Sequence, residues 1–459
     1  MSRLKILAFL LSVYALLAGL CLLLPKDGLT IGPLTLGFAT MQEVKEIFVP
    51  SPSQPSGPTP EELLEQRQAE QRRAEQDRFQ AYFESNPARL YMPDDNIKYL
   101  DSFFASLDNA GKKPVRILHY GDSQIEEDRI TGALRAGLQK RFGGGGPGIM
   151  PFGRPYYTQY FSQSSTANLR KYLIFGEGSR RSDGRYGIMG QMSRCDTSVY
   201  TTVAPVKSNN GPSRYYNRLT MLANGKLNVK LSGKQYSLAT TGSEVGRLVI
   251  DLPDSTTTVR FSTWGSADIY GFQLDDTLGV SIDNIPMRGC SGTIFTRMNK
   301  AQIREYAEKE NVRLIILQFG GNAMPYRKSE KSISEYKSQL EQQIAYLHEL
   351  VPQASILFVG PSDMSTSVRG RMQTYPHLPM MVDSLRAAAN SSGAAFWDMY
   401  SAMGGENSMV SWVKARPALA GSDYVHFTPR GAEAIGNMLL ESVMLYYDYY
   451  RARKEGRAK

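Results

Sequence analysis

The sequence of 459 residues is poor in cysteine and histidine. Its three cysteines, Cys21, Cys195 and Cys290, form no CxxC pair, which excludes a small disulfide-dense domain. Only four histidines are present, at positions 119, 348, 377 and 426, so any mechanism that needs an imidazole must use one of them. The sequence has no zinc-ligand spacing and no nucleic-acid-binding motif. We therefore expect no metal, no cofactor and no nucleic-acid partner.

The composition is that of a folded protein of several structural units. Hydrophobic residues make up 42% of the chain and aromatic residues 10%, which excludes global disorder. The net charge of +9 comes partly from the last nine residues, RARKEGRAK. Such a basic tail (451–459) is typical of a solvated chain end.

One long apolar run lies near the amino terminus. Residues Ile6 to Leu24 carry no charge, and as a helix they would span about 28 Å, close to the apolar thickness of a bilayer. Basic residues precede the run, which places the amino terminus in the cytoplasm. We predict that residues 1–27 anchor the chain in an inner membrane with its body in the periplasm. Signal cleavage followed by secretion is the alternative.

The rest of the chain divides by pattern. Residues 28–85 read as a linker, containing the extended spacer Pro50 to Pro60, followed by an exposed charged helix from Glu61 to Phe83. Apolar strands alternate with helical segments in residues 86–152 and 284–450, which predicts an α/β domain with a parallel sheet covered on both faces. Residues 153–283 instead contain short β-rich runs without helical periodicity. They predict a β-sandwich inserted into the α/β domain.

Four short motifs contain residues suited to nucleophilic catalysis. Ser123 in HYGDSQ follows a predicted strand, Gly292 lies in the small-residue turn RGCSG, and Asn322 in QFGGN follows another strand. Asp423 and His426 in DYVHFTPRG are three positions apart, so the carboxylate can orient the imidazole while its other nitrogen takes a proton from a serine.

Each motif alone has a simpler interpretation. The Gly-Asp-Ser turn and Asp423 can serve only as helix caps, the glycine segments only as turns, and His426 only as a surface residue. Asp363 is a less favoured orienting carboxylate. His119 lies within an apolar strand and is expected to be buried with its hydrogen bonds satisfied. Cys195 and Cys290 can pair outside the cytoplasm if their geometry allows it.

Taken in order, the four motifs resemble the blocks of the SGNH, or GDSL-type, hydrolases over residues 115–150 and 287–446. The resemblance implies a three-layer, flavodoxin-like α/β domain with a catalytic triad of Ser123, Asp423 and His426. It also implies an oxyanion hole formed by the N–H groups of Ser123 and Gly292 and the amide of Asn322. The third block departs from the family pattern, because Ala323 replaces the usual Asp after the Asn.

The segment GDSQIEEDRITGALRAGLQKRFGGGGPGIMPFG is similar to the opening block of bacterial O-acetylpeptidoglycan esterases, in which a carbohydrate-binding-like β-sandwich interrupts the hydrolase domain. This resemblance implies a serine esterase that removes O-acetyl groups from a cell-wall or extracellular glycan through an acetyl-enzyme intermediate. Two alternatives stay open: an O-acetyltransferase with the same triad, and an inactive glycan-binding scaffold. Substrate-binding residues are not identified, although five aromatic residues of the insert are candidates for stacking on sugars: Tyr156, Tyr157, Tyr215, Tyr216 and Trp264.

Overall fold

The computed structural model describes residues 3–23, 29–37, 39–48 and 60–458. The residues that follow the apolar run and nearly all of the predicted spacer Pro50 to Pro60 lie outside these ranges. The chain forms two compact units, Met1–Ala74 and Glu75–Lys459.

The amino-terminal unit contains helix α1 (Arg3–Leu23), a hairpin of strands β1 (Leu29–Ile31) and β2 (Leu34–Leu36), and helix α2 (Met41–Phe48). Within α1, the 20 residues Leu4–Leu23 are long and apolar enough to cross a membrane, and none is buried by other parts of the chain. Helix α3 (Pro60–Ser85) follows, one residue longer at its start and two at its end than the predicted charged helix. Near its carboxyl end Phe79 is buried against Tyr449, so the helix is not exposed along its whole length.

The remaining elements follow in chain order. The helices are α4 (Asp101–Asp108), α5 (Arg129–Phe142), α6 (Lys300–Lys309), α7 (Glu330–Leu350), α8 (Leu378–Ser391), α9 (Met399–Ala402), α10 (Ser408–Lys414) and α11 (Pro429–Lys454). The strands are β3 (Leu90–Tyr91), β4 (Val115–Gly121), β5 (Gly148–Met150), β6 (Tyr156–Tyr157), β7 (Phe161–Ser165), β8 (Arg170–Leu173), β9 (Gln191–Cys195), β10 (Val199–Pro205), β11 (Arg218–Leu231), β12 (Lys234–Ala239), β13 (Gly246–Asp251), β14 (Val259–Asp275), β15 (Val280–Pro286), β16 (Val312–Gln318), β17 (Ser355–Val359), β18 (Ser365–Val368), β19 (Arg371–Thr374) and β20 (Ala395–Trp397).

A six-stranded sheet forms the middle layer of the α/β domain, with strand order β15-β4-β16-β17-β20-β3. Five strands are parallel, and the two-residue edge strand β3 is antiparallel to β20. Every residue of β4 is buried, because helices cover both faces of the sheet. One apolar core lies towards α6, α7 and α8, and the other towards α4, α5 and α11. The predicted three-layer architecture is confirmed, with a mixed rather than wholly parallel sheet.

The β-rich insert is one hydrogen-bonded sheet of ten strands, β5 to β14, whose ladders are antiparallel. The long strands β11 and β14 run through its centre and enclose a separate apolar core. The sheet begins at Gly148, earlier than the predicted start at residue 153, because β5 pairs with β14. It ends before the predicted limit at 283, because β15 pairs with β4 in the parallel sheet.

A buried ion cluster joins the insert to the α/β domain. The guanidinium of Arg116 on β4 contacts Asp283 on β15 at 2.7 Å, Glu310 at 3.0 Å, and Asp275 at the end of β14. The Arg116 side chain is only 3% exposed, so these carboxylates replace the water that it would otherwise bind. The insert is therefore held to the sheet at the point where the chain passes from β14 to β15.

Candidate active site

The predicted site residues lie at the carboxyl edge of the parallel sheet. Ser123 follows β4, Gly292 lies in the loop after β15, and Asn322 follows β16. These strands are neighbours, so their carboxyl ends meet at one edge, where α/β folds place their ligands. Asp423 and His426 reach the same edge from the loop before α11, which begins at Pro429 with Thr428 as its cap.

The structure brings Ser123, His426 and Asp423 into one hydrogen-bonded chain. Ser123 Oγ lies 2.9 Å from His426 Nε2, and His426 Nδ1 lies 2.7 Å from Asp423 Oδ2. A neutral imidazole that donates from Nδ1 to the carboxylate presents its Nε2 lone pair to the serine hydroxyl. In this arrangement the serine hydroxyl donates to Nε2, which is the geometry needed to remove its proton.

The backbone holds Asp423 in this orientation. Its second oxygen, Oδ1, accepts hydrogen bonds from the N–H groups of Val425 and His426, both at 3.0 Å. Partial burial by itself would raise the pKa of Asp423, but the hydrogen bonds from the ring and backbone of His426 and from Val425 bring it below its ordinary value. The carboxyl group therefore stays ionised over the range in which histidine titrates.

The predicted oxyanion-hole donors lie close together, but two of them already have acceptors. The N–H of Gly292 donates to Cys290 Sγ at 3.3 Å. The amide of Asn322 donates to Asp122 Oδ2 at 2.8 Å and to the carbonyl of Cys290 at 3.3 Å. Gly292 has φ +79°, and a Cβ there would lie 2.8 Å from the Phe319 ring, so only glycine fits this position without strain.

Sequence reasoning assigned no role to the two residues that flank Ser123, although both lie in the HYGDSQ motif. Asp122 is 4% exposed, and it accepts hydrogen bonds from Gln124 N at 2.9 Å and from Asn322. Burial raises the pKa of Asp122 to about 6, against the lowering effect of those bonds and of His426. Gln124 Nε2 donates to the carbonyl of Val425 at 2.7 Å, which ties the serine turn to the histidine loop.

The triad opens into a cavity of about 220 Å³. Its walls combine apolar and aromatic side chains with a few polar groups, and they include three side chains that the motifs did not indicate: Tyr326, Met364 and Tyr375. Tyr326 is 82% exposed at the end of the short helical turn Met324–Tyr326. The five aromatic residues of the insert proposed for sugar stacking do not line this cavity.

Other candidate residues lie elsewhere. His119 is fully buried, with Nε2 3.1 Å from Gln318 and Nδ1 2.9 Å from Thr131, and burial lowers its pKa to about 4. Asp363 is also buried and accepts hydrogen bonds from Thr374 and Met409, so it does not orient His426.

The cysteines Cys195 and Cys290 are free thiols in separate apolar cores, one in the insert and one in the α/β domain. Packing in different cores keeps them unpaired. No group of three or more His, Cys, Asp or Glu side chains in the described ranges is placed to hold a metal ion.

Residues 254–434 match the model of the GDSL-like Lipase/Acylhydrolase family, a segment that contains Gly292, Asn322, Asp423 and His426 but not Ser123. No curated protein matches the chain.

Among solved structures, a peptidoglycan O-acetylesterase aligns with TM-score 0.61 and 20% identity, over 76% of this chain and 96% of its own. The YxiM protein of Bacillus subtilis (12% identity, 60% of this chain and 88% of its own) aligns with TM-score 0.30. An acetyl-xylooligosaccharide esterase of Geobacillus aligns with TM-score 0.27 and 17% identity, over 36% of this chain and 73% of its own. Residues 254–434 thus match a GDSL-like lipase/acylhydrolase domain and the structure has the corresponding α/β fold, which together support a carboxylic-ester hydrolase.

Proposed function

We propose that this SGNH hydrolase removes O-acetyl groups from a cell-wall or extracellular glycan, with peptidoglycan as the favoured polymer. The observation that carries the proposal is the 2.9 Å contact between Ser123 Oγ and His426 Nε2 at the mouth of a cavity of about 220 Å³. Sites for drug-sized ligands usually exceed about 300 Å³, so this cavity suits a short acyl group such as acetyl. The structural likeness to a protein named as a peptidoglycan O-acetylesterase supports the choice of polymer.

The reaction would proceed in two halves. His426 Nε2 takes the proton from Ser123 Oγ as the oxygen attacks the acetyl carbonyl, and the tetrahedral intermediate then expels the sugar oxygen, which receives that proton. Water next attacks the acetyl-enzyme with His426 again as the base, and acetate leaves as the serine is reprotonated. Asp423 stabilises the imidazolium that forms in each half.

Charge on the tetrahedral oxygen would be held by the predicted oxyanion donors. The Ser123 N–H has no acceptor among the described residues, whereas the Gly292 N–H donates to the weak acceptor Cys290 Sγ and Asn322 makes a long bond to the Cys290 carbonyl. An oxyanion is a stronger acceptor than either, so both donors would turn to it as charge develops. Each such donor contributes on the order of 3 kcal/mol to transition-state stabilisation.

A sugar would be held beside the triad by the exposed aromatic ring of Tyr326. An aromatic side chain left 82% exposed at the rim of a catalytic cavity offers a flat apolar face to a pyranose ring. Tyr326→Ala should raise KM for an acetylated glycan and leave the turnover of p-nitrophenyl acetate unchanged. The matched control is Tyr200→Ala, an exposed tyrosine of β10 that lines no part of the cavity. Equal KM values for the two variants on the glycan would contradict this role.

The apolar helix α1 supports a periplasmic location. Its 20-residue span corresponds to about 30 Å, the thickness of a bilayer core, and the basic residues before it favour a cytoplasmic amino terminus. An inner-membrane anchor would place the hydrolase beside the cell wall. Fractionation of cells that express a tagged full chain separates the outcomes, because a cleaved signal segment would leave a shorter soluble protein.

The deciding experiment measures acetate release from O-acetylated peptidoglycan by the full chain in detergent. Wild type should release acetate, Ser123→Ala should release none, and Ser237→Ala, which changes an exposed serine of β12, should behave as wild type. Acetate release that persists in Ser123→Ala would reject the mechanism. If the wild type reacts with a fluorophosphonate but transfers acetyl groups between glycans without releasing acetate, the protein is a transferase. If the wild type does not react with the fluorophosphonate, the protein is a glycan-binding scaffold.

A further inference from the structure

A second and larger cleft lies between the insert and the α/β domain. It has a volume of about 660 Å³, three times that of the catalytic cavity. One wall comes from the α/β domain and the other from strands and loops of the insert. The α/β wall is formed by Glu126, Pro286, Met287 and Arg288, and the insert wall mainly by Pro151, Tyr156, Lys171, residues 173–177 and residues 189–191. We call it the interdomain cleft.

The interdomain cleft opens at the same edge of the sheet as the triad. Pro286, the last residue of β15, pairs with Gly121, the last residue of β4, two positions before Ser123. The N–H of Met287 donates to the carbonyl of Gly121 at 2.8 Å, and that of Glu126 to the carbonyl of Ser123 at 3.3 Å. One wall of the cleft is therefore built from the turn that carries the nucleophile and from the loop that leads to Gly292.

The charges of the cleft are arranged to receive an anion. Lys171, on β8, is half-buried and forms no ion pair with a carboxylate of the described residues, and burial followed by the neighbouring charge of Arg154 lowers its pKa. Arg288, on the facing wall, is 79% exposed and lies 3.8 Å from Glu126, at the limit of an ion pair. Keeping a desolvated lysine without a carboxylate partner is unfavourable, which is typical of a position where a ligand supplies the opposite charge.

Neither of the two acidic residues that line the cleft pairs with Lys171. Glu126 faces Arg288 rather than Lys171, and Glu177 is exposed to solvent. On the insert wall, Tyr156, Ile174 and Phe175 add an apolar surface that a sugar ring or a short peptide can cover. The cleft therefore combines an apolar surface on the insert wall with one cation on each wall.

We propose that the interdomain cleft binds a carboxylate-bearing segment of the polymer, held by Lys171 and Arg288, while an acetylated sugar of the same chain reaches Ser123. The inference rests on the proposed esterase function and narrows its substrate to acidic glycans, such as a glycan that carries peptides with free carboxylates. A neutral acetylated polysaccharide would lack the group that these cations recognise. Specificity would then come from a site on the insert side of the nucleophile, separate from the acetyl-binding cavity.

The test compares the full chain with the double variant Lys171→Met/Arg288→Gln on three substrates. KM for O-acetylated peptidoglycan should rise about tenfold, as expected for the loss of two charge-assisted contacts, with kcat nearly unchanged. Kinetics with acetylated xylan and with p-nitrophenyl acetate should not change. The matched control is Lys234→Met/Arg260→Gln, which removes two exposed cations of the insert outside the cleft and should behave as wild type on all three.

A binding measurement separates failure of this inference from failure of the esterase assignment. Full-length Ser123→Ala is titrated with a fluorescent, non-acetylated disaccharide-peptide and with the same molecule after its carboxylates are amidated. Tighter binding of the free acid, lost in the Lys171/Arg288 background, supports the cleft even if no polymer is deacetylated. Equal binding of both forms, or an unchanged KM on peptidoglycan in the double variant, overturns the inference and leaves the esterase function standing wherever wild type releases acetate.

Discussion

Replacing Asp423 by asparagine tests the hydrogen-bonded chain at its most informative point. In the wild type, Oδ1 accepts from the Val425 and His426 N–H groups and Oδ2 accepts from His426 Nδ1. An asparagine of the same shape must keep its carbonyl oxygen on the two backbone donors, which leaves its NH₂ group facing Nδ1. The imidazole then has to carry its proton on Nε2, so it cannot accept one from Ser123.

The size of the effect follows from the same geometry. In buried Ser-His-Asp triads the wrong tautomer lowers kcat about 10⁴-fold. Here the side chains are 52% exposed at Asp423 and 40% at His426, so water can partly replace the lost partner. We therefore expect a loss of about 10²- to 10⁴-fold in kcat, with KM little changed. Asp423→Ala should lose less, because it removes the carboxylate without imposing the wrong tautomer.

The assay is steady-state hydrolysis of p-nitrophenyl acetate between pH 5 and pH 9 by the full chain. Asp383→Asn is the matched control, because Asp383 is exposed and also forms an i,i+3 ion pair, with Arg386 on α8. Thermal unfolding of each variant shows whether the fold is intact. The reasoning is refuted if Asp423→Asn is no slower than Asp423→Ala.

Three further predictions follow from buried contacts. Asp122→Asn should lower kcat about tenfold, because an asparagine that keeps its carbonyl oxygen on the Gln124 N–H turns its NH₂ group towards Asn322, which then retains only its longer bond to the Cys290 carbonyl. Burial raises the pKa of Asp122 from 3.8 to about 6, so the folded state binds the Asp122 proton more tightly than the unfolded chain does. The contribution of this proton to the unfolding free energy therefore falls as the pH rises from about 4 to about 6. Urea titrations at several pH values should show this fall in the wild type and not in Asp122→Asn. Gly292→Ala should cost about 1–2 kcal/mol of backbone strain and push against Phe319, so acetate release should drop while secondary structure by circular dichroism persists. Arg116→Leu removes the cation that three buried carboxylates share and leaves Asp283 without an ion pair, whereas Asp275 keeps Arg218 and Glu310 keeps Arg247. The urea-unfolding free energy should fall by about 3 kcal/mol, and an unchanged midpoint would show that the cluster does not hold the insert.

The local pattern of apolar and polar residues was sufficient to predict much of the fold. Largely apolar runs such as Val115 to Tyr120 predicted buried parallel strands, because a sheet covered on both faces buries side chains on either side of the strand. The short β-runs predicted an insert, but not its edges. Strand β15 mixes apolar residues with Ser281, Asp283 and Asn284, as the strands of the insert do, and only its pairing with β4 assigns it to the parallel sheet.

The residues of the candidate site likewise divide into those that the local sequence predicts and those that only tertiary contacts identify. The residue types and their order were readable, since a serine after a strand and an Asp-x-x-His before a helix carry their chemistry locally. Asp122 and Gln124 were missed because their roles depend on contacts with Asn322 and Val425, which lie about 200 and 301 positions away. Likewise, the acceptors of the Gly292 and Asn322 N–H groups depend on how the Cys290 turn packs.

Sequence alone thus determined which side chains are able to act, because nucleophile, base and carboxylate are properties of residue types and short spacings. Tertiary structure decided that Ser123 Oγ and His426 Nε2, 303 positions apart, meet at 2.9 Å. It also decided that Lys171 lies in the interdomain cleft with no ion pair to a carboxylate in the part of the chain that the structure describes. Distances between remote segments are set by the packing of the whole sheet and its insert. No local pattern encodes them.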